Sequence, residues 1–217
     1  MTTDQTAQRI QALGELFLQL GDDEQRIARC LYQQLATGKP ADLERLSRQT
    51  GVPLSTIVNR LDEWPGVYFN DGGAVVGFWG LAIDPVSTHQ IVAGDTTVYG
   101  WCAWDTLFIP VLLGRTCRVL SNCKQTGATI HLEVSPNGVE TVSPATVHLS
   151  FVLPDKAEFD HDVVTSFCHY VHFFCDQQTA AAWARSQAGG FILDLEDAVA
   201  AAHYKVRYEF QLLPVAS

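Results

Sequence analysis

The sequence predicts an α+β protein. It divides into an N-terminal winged-helix-like domain of three or four helices (residues 1–80) and a mixed β-sheet domain with flanking helices (residues 81–217). Three observations carry this. Apolar residues recur at helical spacing through about residue 65. A hairpin signal, Asn70-Asp-Gly-Gly73, follows them. Beyond about residue 80, strand-like alternation is interleaved with helix-forming runs.

In order along the chain, Leu13, Leu16, Phe17 and Leu20 keep the i, i+3, i+4, i+7 spacing of a first helix. Asp22 or Asp23 caps a second, which carries Ile27, Cys30, Leu31 and Leu35 and stops at Gly38 and Pro40. A short helix over 42–50 turns Leu43 and Leu46 inward. Gly51-Val-Pro53 makes a turn, and Ser55 caps another short helix with Ile57, Val58 and Leu61 inward. The Asn70–Gly73 turn joins strands over 67–69 and 74–79, and helix-turn-helix plus hairpin is a winged-helix layout.

In the second part, 91–92 and 96–99 read as short strands. The apolar run 101–113 reads as a helix bent or ended near Pro110. Ile130, Leu132 and Val134 alternate with polar residues, and Ser135-Pro-Asn-Gly138 is a turn. Strands are expected over 147–153 and over 165–175, the latter because it is rich in Phe, Val and Tyr. Thr179 caps a helix over 180–187 that Gly189 ends, 191–193 is a strand, and 196–212 closes the chain as a helix.

Composition narrows the function classes. No stretch of about 18 apolar residues appears, so no membrane partner is expected. The N-terminus lacks a basic segment followed by an apolar one, so the expected location is cytoplasmic. With 24 acidic against 14 basic side chains the net charge is −10, which opposes a nucleic-acid partner. The helix at 55–61 offers Asn59 and Arg60 to a DNA groove but also leads into Asp62 and Glu63, and the Asn70–Gly73 wing carries no Lys or Arg. The N-terminal part therefore reads as a packing module. In a reducing compartment Cys30, Cys102, Cys117, Cys123, Cys168 and Cys175 are expected as thiols.

Two segments carry candidate chemistry. In the first, Tyr99 to Leu107, Cys102 and Asp105 are three apart and share one face of a helix. A Cys102 at the helix start would gain thiolate stability from the dipole. An Asp beside an apolar run and a thiolate would keep its proton and be able to donate it. The same spacing also suits a buried cysteine and a helix-start aspartate. In the second, Ser166 to Phe174, a helix would align Cys168, His172 and Cys175 as a metal site. A strand would put Cys168 and His172 on one face and His169 and Cys175 on the other. Paired Cys-x-x-Cys spacings are absent, which disfavours structural zinc.

These segments resemble the organomercurial (alkylmercury) lyase family. The resemblance lies in Tyr-Gly-Trp-Cys-Ala-Trp-Asp-Thr-Leu-Phe-Ile-Pro (99–110), Gly-Arg-Thr-Cys-Arg-Val (114–119), and Ser-x-Cys with Thr-Gly at 121–127. It continues in Val-Ser-Pro (134–136), Val-Leu-Pro (152–154) and Ser-Phe-Cys-His-Tyr-Val-His-Phe-Phe (166–174). The resemblance implies protonolytic cleavage of carbon–mercury bonds in alkyl or aryl mercury compounds. Cys102 and Cys168 would be the mercury-binding thiols and Asp105 the proton-handling carboxylate, so that all three surround the metal. Cys123 would be structural, and His169 stands where some relatives have another cysteine. Cys30, Cys117 and Cys175 gain no role from it. The resemblance further implies no cofactor for catalysis, Hg(II) bound as product, and low-molecular-weight thiols needed for turnover. It also implies a mercuric reductase as a downstream partner. Phe167 and Trp104 are candidate walls for the organic group. Two other classes fit parts of the pattern: a metal-responsive winged-helix regulator and a thiol mercury-binding protein.

Overall fold

The computed structural model describes residues 3–211, so the expectations placed on Met1 and Leu212 lie outside the described residues. Four helices open the chain: α1 (Thr3–Glu15), α2 (Asp22–Leu35), α3 (Leu43–Thr50) and α4 (Leu54–Glu63). Leu16, Phe17 and Leu20, expected within the first helix, fall beyond its end. The chain turns there, with the Phe17 N–H bonded to the Gly14 carbonyl, yet Leu16 and Leu20 are still buried. Burial without a helix thus produced the same spacing. Glu24, not Asp22 or Asp23, steadies the start of α2 by accepting from the Gly21 N–H at 2.8 Å. Asp42 caps α3 by accepting from the Arg45 N–H, and Gly51 ends it at φ +74. α4 starts directly after Pro53 instead of at Ser55, and Val58, expected inward, is 38% exposed.

Eight strands form one sheet in the order β1-β2-β3-β5-β4-β6-β7-β8. They are β1 (Val67–Phe69), β2 (Val75–Phe78), β3 (Leu81–Ala82), β4 (Gln90–Ala93), β5 (Thr96–Gly100), β6 (Cys117–Asn122), β7 (Thr129–Ser135) and β8 (Gly138–Ser143). β9 (His148–Phe151), β10 (Phe173–Phe174) and β11 (Phe191–Asp194) form a second sheet in the order β10-β9-β11. All pairs in both sheets are antiparallel, which corrects the expectation of a mixed sheet. The physical reason is connection length: most neighbours in the large sheet are joined by short turns, which only antiparallel pairs accept. In the first of these turns Asn70 Oδ1 accepts from the Gly72 and Ala74 N–H groups, both at 3.0 Å. β1 and β2 continue into the strands after residue 80 through β3.

The remaining helices are α5 (Asp105–Leu113), α6 (Lys156–His161), α7 (Val163–Ser166), α8 (Gln177–Arg185) and α9 (Leu195–Glu209). α5 runs through Pro110 to Gly114, which ends it at φ +66. It is buried along most of its length and packs between α2 and α9. The expected strand over 165–175 is instead the end of α7, a 3-10 turn at Cys168–Tyr170 and the two residues of β10. Its Phe and Val content reflects burial: Phe167, Val171, Phe173 and Phe174 are all core. Asp162 starts that segment as a helix by accepting from the Val164 and Thr165 N–H groups. Asp176, not Thr179, caps α8.

Candidate active site

Cys102, Asp105 and Cys168 come together in the structure. Their candidate ligand atoms all lie within 4.8 Å of one another. They are the one such group of three or more His, Cys, Asp or Glu side chains found among the described residues. The three are 1%, 4% and 7% exposed.

Cys102 lies in the turn that leads into α5, ahead of the helix start where the spacing argument had placed it, and Asp105 is the first helical residue. The two meet because the chain folds back: the Cys102 N–H donates to Asp105 Oδ2 at 2.6 Å, the reach-back that a capping box uses. The helix dipole therefore favours a charge on Asp105 more than on Cys102. Cys168 opens the 3-10 turn. The Ala103 N–H bonds the Val171 carbonyl at 3.4 Å and laces the two cysteine segments together.

A turn after β2 backs the carboxylate. Trp79 sits at φ +37 and Gly80 at φ +93. A Cβ on Gly80 would stand 2.5 Å from Asp105 Oδ1, so only glycine fits. The Gly80 carbonyl accepts from the Trp101 N–H at 2.9 Å, which ties the turn to the cysteine loop.

Burial dominates the electrostatics. It pushes the Asp105 carboxyl up to about 7, against hydrogen bonds from Cys102 and the charge of Lys205, which pull it down. Burial also drives the Cys102 thiol well above its usual range, helped by its hydrogen bond to Cys168. The hydrogen bond from Cys102 lowers Cys168, but burial and the nearby Asp105 and Asp162 leave it raised.

A narrow, mostly apolar cavity of about 30 Å³ reaches Asp105 and Cys168 between the Leu16–Leu18 segment, α6 and Trp101. That volume holds little more than a water or two, so any larger group must displace the walls. Phe167 lines it and Trp104 does not. Trp104 is fully buried, with Nε1 donating to the Ala198 carbonyl at 3.0 Å, and its role is core. At the cavity edge Lys205 Nζ donates to Glu209 Oε2 at 2.7 Å, with both side chains no more than 1% exposed. The same ammonium lies over the rings of Phe17 and Phe108, at 4.3 and 4.1 Å from their centroids. Gly80 and this ion pair were missed in the sequence. For the pair a signal existed: opposite charges four apart on the face that carries Ala198, Ala201 and Ala202 inward.

The other cysteines stand apart from the three. Cys30 donates to Gln49 Oε1 at 3.1 Å on the surface of α2, and Cys117 is buried on β6. Burial raises the Cys123 thiol, but hydrogen bonds from Thr126, the Cys175 N–H and Gln125 outweigh it and bring it to about 7. Burial raises Cys175, helped by its hydrogen bond to Cys123. His169 is exposed, and burial with the charge of Lys124 holds His172 down to about 3.

Known proteins resemble this chain in sequence and in fold. A sequence profile described as alkylmercury lyase matches residues 85–206. An alkylmercury lyase of Bacillus cereus is 36% identical over 178 residues, covering 82% of this chain and 79% of that protein. One from Staphylococcus epidermidis is 36% identical over 182 residues, covering 83% and 82%. One from Pseudomonas putida is 35% identical over 173 residues, covering 80% and 79%. Among solved structures, the mercury-bound form of MerB2 superposes with a TM-score of 0.74 at 24% identity, covering 93% of this chain and 98% of that one. That likeness is one of fold.

Proposed function

The chain belongs to the alkylmercury lyase family and is an enzyme of carbon–mercury cleavage, and we propose that Cys102, Cys168 and Asp105 perform that reaction. The carrying observation is the meeting of two thiols and one carboxyl within 4.8 Å. Mercury is soft and prefers sulfur, so the two thiols supply its ligands. A buried carboxyl poised near 7 takes and returns a proton at neutral pH.

The order of steps follows from access. Cys168 and Asp105 line the cavity, and Cys102 does not. Cys168 therefore captures the organomercurial cation first, and its proton leaves with the displaced carrier thiolate. Cys102 follows, giving its proton to the Asp105 carboxylate as its sulfur binds mercury. The second thiolate pushes electron density onto the metal and makes the carbon more basic. Asp105 then delivers the proton to carbon. The electron pair of the carbon–mercury bond becomes the new carbon–hydrogen bond, and Hg(II) is left on two sulfurs. Holding donor and acceptor side by side supplies much of the rate.

Free low-molecular-weight thiols take the product off by exchange, and a mercuric reductase is the fitting recipient in a cytoplasmic detoxification route. The N-terminal 1–80 region is proposed as a winged-helix-like packing module and 81–217 as the catalytic domain. Support comes from α3 and α4 with the β1–β2 hairpin, and from the Asn70–Gly73 turn, which carries no cation. The test is incubation of the purified protein with phenylmercury or methylmercury and excess thiol. Benzene or methane should accumulate in the headspace. Tight mercury binding without hydrocarbon would replace the lyase with a thiol mercury-binding protein.

A further inference from the structure

Cys168 is a wall between two spaces. One side faces the apolar cavity, and the other faces a wider cleft of about 450 Å³ with many polar residues in its lining. Cys123 lines that same cleft, with His89, Lys124 and His172. The carbon–mercury chemistry uses none of these four.

Cys123 is held as a metal-binding sulfur is held. The Cys175 N–H donates to its Sγ at 3.3 Å. Thr126 and Gln125 add further hydrogen bonds to the same sulfur, and the Cys175 thiol hydrogen-bonds to it as well. Converging donors ease the loss of its proton, which a sulfur that exchanges onto mercury requires and one that only fills a core does not. Mercury(II) asks for two sulfurs, and half-buried Cys175 brings the second to the first.

We propose that Cys123 and Cys175 form a second dithiol site for Hg(II), which takes product mercury from Cys168 through the cleft that Cys168 and Cys123 both line. Transfer is thiol-for-thiol exchange. As the mercury–sulfur bond to Cys123 forms, the bond to Cys168 breaks, and the Cys123 proton passes to the departing Cys168 sulfur. A second exchange puts Cys175 in place of Cys102 and returns a proton to Cys102. Mercury stays Hg(II) throughout, so no oxidant or reductant is required. The lyase reading supplies the mercury; the dithiol site itself does not depend on it.

The test uses mercuric chloride on the full chain lacking Cys30 and Cys117, with a small monothiol present so that only dithiol sites retain metal. Charge-transfer absorbance should report two Hg(II) per chain. Cys102→Ser with Cys168→Ser should leave one, and adding Cys175→Ser should leave none. Cys175 is used because it is half-buried and lies outside the catalytic group. In single turnover with phenylmercury, Cys175→Ser alone should form benzene at the unaltered rate but pass mercury to external thiol at least fivefold more slowly. One Hg(II) per chain in the starting protein, or retention of Hg(II) after all three substitutions, overturns the site. Unchanged mercury release in Cys175→Ser overturns the relay. Absence of benzene with the second Hg(II) still bound would sink the lyase reading and leave the dithiol site standing.

Discussion

The Cys102 N–H and Asp105 Oδ2 are 2.6 Å apart, so the thiol proposed to bind mercury and the carboxyl proposed to handle the proton are carried on one backbone turn. Moving either moves the other. Asp105→Asn keeps an acceptor for that N–H and loses only the titrating oxygen, whereas Asp105→Ala loses both. Both should cut hydrocarbon release by about a hundredfold or more, the scale of one proton-transfer group. Cys102→Ser and Cys168→Ser should do the same. Gas chromatography of the headspace decides, and full activity in any of the four removes that residue from the mechanism.

Asp105 ordinarily titrates near 3.8 and here is raised to about 7. A carboxyl raised on folding costs nothing in acid and penalises the folded state progressively as pH climbs from about 4 through about 7. Asp105→Asn should therefore match the parent protein in stability near pH 4. At about pH 8 it should be more stable by an amount on the order of a few kcal/mol. Urea titrations at the two pH values measure this, and an equal gap at both would refute it.

In the proposed mechanism the same carboxylate must be ionised to accept the Cys102 proton. The kcat/KM for phenylmercury should rise through about pH 7 as Asp105 ionises. A profile flat between about pH 6 and 8 would mean that some other group takes the thiol proton.

Gly80→Ala should be severe for two separate reasons. Its φ of +93 is unfavourable for alanine, and the new Cβ would meet Asp105 Oδ1 at 2.5 Å. A stability loss of roughly 1–3 kcal/mol is expected from the backbone alone. Activity should fall further than stability explains, because the carboxyl must move. Normal turnover in a folded Gly80→Ala protein would contradict the position given to Asp105.

The Lys205–Glu209 pair is fully enclosed. Removing one partner, as in Glu209→Gln or Lys205→Met, leaves the other without its counter-charge and should cost about 3–5 kcal/mol. Lys205→Met with Glu209→Leu should recover most of that loss. Urea midpoints test it, and additive losses in the double variant would show that the pair is not coupled.

Sequence reasoning reached the local features best. The Asn70–Gly73 turn, the ends of α3 and the alternation of Ile130, Leu132 and Val134 were legible because each depends on neighbours in the chain. Cys102, Asp105 and Cys168 were found through their flanking residues; helical spacing gave the wrong reason for the nearness of the first two. The segment around Cys168 was misread because Phe and Val mark burial as readily as they mark strands, and the deciding residue was Asp162, a helix cap upstream of it. Gly80 and Lys205 were invisible for another reason. Each matters through a contact with a residue far along the chain, and no spacing rule records such a contact.

One ladder of backbone hydrogen bonds runs from the first hairpin straight on past residue 80. Heat should therefore take the front and back of the molecule apart in a single cooperative event, seen as one calorimetric peak. It also sets terms for recombination between relatives. A crossover placed there would graft two strands into a foreign sheet along with the four helices, and a piece beginning after it would carry a raw, unpaired edge inviting aggregation.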